Sequence, residues 1–187
     1  MVPLSALWLP IIISAVLVFV VSSIIHMVLT YHQTDYARVA AEEQLMDDLR
    51  RAALPPGDYA VPHAATPKEM AEPAFVEKTR RGPVAFITVV PNGPPAMGKS
   101  LTLWFLYALL TSLVAGYVAA RALGPGATYL DVFRFAGTTA FAAYVMGLWQ
   151  QSIWYGRKWS TTLKSSFDGL VYALLTAGVF GWLWPGA

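Results

Sequence analysis

Four long stretches of this chain are nearly free of charge, and polar stretches separate them. Leu4 to Tyr31 contains no Asp, Glu, Lys or Arg and is rich in Ile and Val. Leu101 to Ala120 is equally uncharged, with Trp, Phe, Leu, Tyr and Val distributed around the whole circumference of a helix. Two further apolar stretches cover 128–156 and 166–184. About 20 apolar residues suffice for a helix to cross the hydrocarbon of a bilayer. The predicted fold class is therefore an integral membrane all-α protein with four transmembrane helices and a small α+β polar segment between spans 1 and 2.

The predicted domains are a first transmembrane helix in 1–32, a polar cytoplasmic segment in 33–100 and a three-span bundle in 101–185. The bundle's helices are expected at 101–123, 128–156 and 166–184. A cleaved leader would need a basic start and a short apolar core. Leu4–Tyr31 has neither, so the first span is expected to stay as an anchor.

Within the polar segment, a helix is predicted over 34–53, either capped by Thr34 or continuing directly from the first span. Asp35 at its start and Arg50 and Arg51 at its end suit the helix dipole. Thr66-Pro67-Lys68-Glu69 combines a cap, a proline at the first helical position and a capping-box glutamate, so short helices are expected in 67–81. Val84–Val90 is a β-branched and aromatic run, predicted as a strand over 84–90 paired with Tyr59–Val61. Thr128-x-x-Asp131 and Ser165-x-x-Asp168 resemble capping boxes that open the third and fourth spans.

Small residues recur every four positions in the later spans: Ser112, Gly116 and Ala120; Thr139, Ala143 and Gly147; Ala173, Ala177 and Gly181. Such rows let helix backbones approach closely in lipid. Bulky β-branched residues fill the first span instead. A tight three-helix unit of spans 2–4 with a more peripheral first span is the expected arrangement.

Composition agrees with a membrane protein: 56% of residues are hydrophobic and only 13% charged, where soluble domains carry about 25%. A net charge of +2 gives no reason to expect nucleic acid as a partner. With no cysteine, disulfides, thiolate metal sites and thiol catalysis are excluded. The short loop before the last span holds Arg157, Lys158 and Lys164, and the polar segment is also rich in Arg. The positive-inside rule then places both in the cytoplasm and both termini outside, in a bacterial inner membrane.

One motif points elsewhere. Gly93, Gly98, Lys99 and Ser100 satisfy G-x-x-x-x-G-K-[ST], the phosphate-cradling loop. Pro94 and Pro95 inside it lack the N–H groups such a loop aims at phosphate. The helix that follows is apolar all round. The match is read as chance, with Ser100 capping the second span and Lys99 reaching the headgroups.

Arg121, Asp131 and Arg134 flank one predicted hairpin and could form an anion mouth, or a carboxylate bridging two guanidiniums. Gln150 and Gln151, with Ser152, interrupt the third span and could line a polar pocket or bond between helices. His26 is the only histidine within a span, and no other span supplies a second. No metal and no cofactor is therefore expected. Lys164 and Asp168 are expected to serve as capping and surface charge. No catalytic set is evident.

The expected function is a non-enzymatic four-span accessory or assembly subunit. It would dock a membrane protein partner or a second copy through its first span and cytoplasmic segment. The alternatives are a small transporter or channel running from Arg121/Asp131/Arg134 to Gln150/Gln151, and a membrane enzyme with a cytoplasmic-interface site.

Overall fold

The computed structural model describes residues 1–186, and they are mostly helical with one two-stranded sheet. They form two compact units, residues 1–36 with the described residues from 96 onward, and residues 37–95. In the first unit lie α1 (Trp8–Met27), α5 (Met97–Ala122), α6 (Tyr129–Val145), α7 (Trp149–Tyr155) and α8 (Trp159–Trp182). In the second lie α2 (Glu42–Ala52), β1 (Gly57–Val61), α3 (Pro67–Met70), α4 (Pro73–Arg81) and β2 (Ala85–Val89).

Two stretches are long and apolar enough to cross a membrane by length and composition: Leu4–Met27, which is α1 with a short 3-10 turn before it, and Met97–Ala122, which is α5. α6 stops after 17 residues. A 3-10 step at Met146–Leu148 separates it from α7, so the expected continuous helix over 128–156 is broken. A Cβ on Gly147 at the step would meet nothing within 4 Å, and a buried Ser152–Thr162 hydrogen bond of 2.7 Å draws α7 onto α8. α8 is long enough, but Lys164, Asp168 and five Ser/Thr residues occupy its first half.

The first unit is a ring of four helices. α1 packs against α5 and α8, and α6 packs against the same two. α1 is thus not peripheral, contrary to the sequence expectation. It buries its own four-residue row, Ser14, Val18 and Ser22, with Ala15 beside it. Two serines in that row give the close approach that the bulky residues elsewhere on α1 would prevent. The tightest pair is α6 and α8, along Gly169, Ala173, Ala177 and Gly181, all buried. A Cβ on Gly169 would stand 2.7 Å from Val145 Cγ2, and one on Gly181 would stand 2.7 Å from Tyr129.

On α6 the buried row is Val132, Ala136 and Ala140, not Thr139, Ala143 and Gly147, of which the last two are exposed. The helix is rotated so that Tyr144, a large side chain, can enter the core on the 132–136–140 line. The predicted row on α5 is buried throughout. The ring's diagonal is filled where Phe180 Cε1 would lie 2.9 Å from a Cβ on Gly116. Toward the α8 N-terminus it is filled by Trp104, Tyr144 and Tyr172, with the exposed Tyr107 set against Trp104 and Tyr144 at ring-centroid distances of 5.6 and 5.7 Å.

Helix starts also differ from expectation. α5 begins at Met97 with Ala96 as its cap residue; the Ser100 N–H is already donating to the Ala96 carbonyl at 3.1 Å, so Ser100 caps nothing. α8 begins at Trp159 rather than 166. The Ser165 hydroxyl donates back to the Thr161 carbonyl at 3.0 Å, the bond of a serine inside a helix. The Thr128 cap does form, accepting from the Asp131 N–H.

In the second unit, β1 and β2 are antiparallel with Tyr59 opposite Ile87. Thr66 caps α3, accepting from the Glu69 N–H at 3.2 Å, while Glu69 Oε2 accepts from the N–H of Ala65, one residue before the cap, at 2.8 Å. α2 begins at Glu42, not 34, because Thr34 is engaged elsewhere, as described below.

Candidate functional site

α1 ends abruptly. The Val28 and Leu29 N–H groups both return to the Ile24 carbonyl, and Tyr31–Thr34 form a 3-10 turn. The chain folds back onto the bundle there instead of continuing as a polar helix. Tyr31, His32 and Asp35 reach Asp168 and Lys164 on α8.

Asp168 lies nine residues into α8 and is 3% exposed. It neither caps the helix nor sits at the surface, because the helix starts seven residues earlier than its Ser/Asp pattern suggests. The Tyr31 hydroxyl donates to Asp168 Oδ1. His32 Nε2 lies 2.8 Å from Asp168 Oδ2, and His32 Nδ1 lies 2.6 Å from Asp35 Oδ2. Lys164 donates to the Tyr31 carbonyl at 2.6 Å, Thr34 Oγ1 at 2.8 Å and Asp35 Oδ1 at 2.9 Å. It does not pair with Asp168 as an i,i+4 surface bridge. The ring of His26, in the last turn of α1, lies 4.6 Å from that of His32.

The electrostatics follow from these contacts. Burial raises the Tyr31 hydroxyl well above its ordinary value, and its bond to the Asp168 carboxylate adds to the effect. Burial also works to raise Asp35, but its bonds to His32 and Lys164 outweigh that, and the carboxyl is held below the usual range. Two carboxylates face one ammonium. His26, His32 and Asp168 offer ligand atoms that all lie within 4.8 Å of one another. Histidine and carboxylate are donors that divalent transition metals accept.

The residues singled out in the sequence lie elsewhere. Asp131 pairs with Arg134 at 3.5 Å and also accepts from the Thr128 hydroxyl at 2.7 Å, both at the start of α6. Arg121 instead lies over the Tyr117 ring, 5.3 Å from its centroid, with Met1 Sδ 3.6 Å from its Nη1. Gln150 and Gln151 are exposed on α7, past the other end of α6. Between these two ends the bundle interior is packed by Phe180, Val132 and Val18. Gly93 follows β2, an antiparallel strand, and has φ 117°; Gly98, Lys99 and Ser100 are exposed in the first turn of α5.

Sequence reasoning looked for a partner to His26 in another span and missed His32 six residues on, since a continuing helix would have carried it into the polar segment. The one available signal was Y-H-x-x-D at 31–35, two groups able to donate to a buried acid and an aspartate spaced to hold the histidine, set at the end of an apolar run. No protein-family model, curated protein or solved structure matches this chain.

Proposed function

We propose that this is a four-span membrane protein with both termini outside, serving as a non-enzymatic accessory subunit whose cytoplasmic unit is completed by a partner chain. α1 and α5 would span as single helices, α6 with α7 as an interrupted one, and α8 as the most polar. Packing supports α8 as a span: Thr162, Ser166 and Asp168 of its polar first half are turned from solvent and bonded, while Leu163, Phe167, Leu170 and Leu174 face outward.

The observation that carries the accessory role is that none of residues 37–95 is buried. A two-stranded hairpin with short helices is marginal alone in water. α2 and β2 leave an open cleft of about 610 Å³ lined by Met46, Leu49, Leu54 and Val89. An apolar segment of a membrane protein partner, or of a second copy, would cover it. The packed interior between Asp131 and Gln150 gives a transport path no comparable support.

Purification in mild detergent, with molar mass and co-purifying chains measured, tests this. Wild type is expected to carry a stoichiometric partner or second copy, and Leu49→Asp to lose it. A wild-type protein that purifies alone as a monomer overturns the reading.

A further inference from the structure

The cluster at the end of α1 holds more than a hydrogen-bonded clamp requires. Tyr31, His32, Asp35, Lys164 and Asp168 satisfy one another, but His26 makes no hydrogen bond among the described residues. Its ring nevertheless stands against His32, with a ligand nitrogen within 4.8 Å of the atoms that His32 and Asp168 offer. A tetrahedral ion with bonds of about 2.0–2.1 Å holds its donors about 3.3 Å apart. His32 Nε2 and Asp168 Oδ2, at 2.8 Å, would open slightly and His26 would close in.

The surroundings are those of a metal-binding histidine. Such a ring donates its second N–H to a carboxylate, which fixes the tautomer and turns the other nitrogen to the ion. His32 Nδ1 lies 2.6 Å from Asp35, and Asp35 is itself anchored by Lys164 at 2.9 Å. Nε2 is thereby aimed at the buried oxygen of Asp168.

We propose that His26, His32 and Asp168 bind one divalent transition-metal ion with the ligand preference of zinc, its fourth position open to water on the exposed side of His26. Asp35 positions His32 and is not a ligand. The proposal is independent of the accessory role.

The test uses the full chain, purified in detergent with a tag free of histidine, stripped by chelator and titrated with zinc chloride. Bound zinc is counted after gel filtration, and the midpoint of thermal unfolding is followed with and without the ion. One equivalent is expected to remain bound and to raise the midpoint. His26→Ala breaks none of the cluster's hydrogen bonds, so its metal-free midpoint should match wild type while zinc affinity falls at least about tenfold. Asp35→Asn should weaken binding about 10–100-fold through the orientation of His32. His63→Ala, in the other unit, should bind as wild type does. Zinc-free wild type after gel filtration, or affinity unchanged in His26→Ala, overturns the proposal. So does an affinity that falls as far in His63→Ala.

Discussion

The ring of His32 and the carboxylate of Asp168, 136 residues apart along the chain, meet at 2.8 Å. Asp168 also takes the hydroxyl of Tyr31. Asp168→Ala removes both acceptors at once in a place water reaches poorly. An orphaned polar group there costs about 1–3 kcal/mol. Chemical or thermal unfolding in detergent should show that loss, with Asp168→Asn intermediate.

The cluster also sets a pH window. Asp35 has a lowered folded-state pKa, so it adds stability above the ordinary carboxyl value of 3.8 and loses it as pH falls through the lowered one. Tyr31 has a raised pKa, so its contribution is complete below the ordinary value of 10.0 and is lost as pH climbs through the raised one. Unfolding midpoints across pH should form a plateau between those limits. Asp35→Asn is expected to flatten the acid edge and Tyr31→Phe the alkaline edge; identical edges in all three proteins would contradict this.

Glycines separate the two faces of the bundle. Gly169→Ala puts a methyl 2.7 Å from Val145 Cγ2, and overpacking of this kind costs about 1–3 kcal/mol. Gly147→Ala meets nothing within 4 Å and should change stability by less than about 0.5 kcal/mol. Equal losses at both positions would contradict the α6–α8 pairing.

The proposed four-span topology, with both termini outside, predicts labelling by an impermeant maleimide in intact cells. Single cysteines replacing Ser160 and Ala65, both exposed, should be protected, and one replacing Gly124, also exposed, should react. Reaction at Ser160 from outside inverts the orientation.

Lys99 belongs to an exposed helical turn, and β2 before it is paired antiparallel to β1. A labelled ATP analogue with magnesium should therefore show no saturable binding to wild type or to Lys99→Ala. Micromolar binding to wild type that vanishes in the variant would restore the phosphate-loop reading.

Local chemistry was legible in the sequence wherever neighbours along the chain decide the outcome. Thr66 with Glu69, Thr128 with Asp131, and the pairing of 59–61 with the strand after Val84 all form. The candidate cluster was not legible, because its two halves come from opposite ends of the chain and each half has a plausible local role. Thr34 and Asp35 pass for the start of a helix, and Ser165 and Asp168 pass for a cap, until Lys164 reaches across to the 3-10 turn. The rotation of α6 was equally hidden. Two small-residue rows run along it, and the side chain of Tyr144 selects which one turns inward.

The closed ring of α1, α5, α6 and α8 has a consequence for the order of assembly. A chain is made from its N-terminus, and its early parts must wait for later ones. Tyr31, His32 and Asp35 leave the ribosome well before Lys164 and Asp168, the groups that neutralise and hold them. Until α8 arrives, α1 has only α5 beside it, and the turn after it has only its own His32–Asp35 contact. Closure of the ring and capture of that turn thus both wait for α8, and a chain interrupted before residue 164 leaves Tyr31 and Asp35 without the contacts that a finished one gives them.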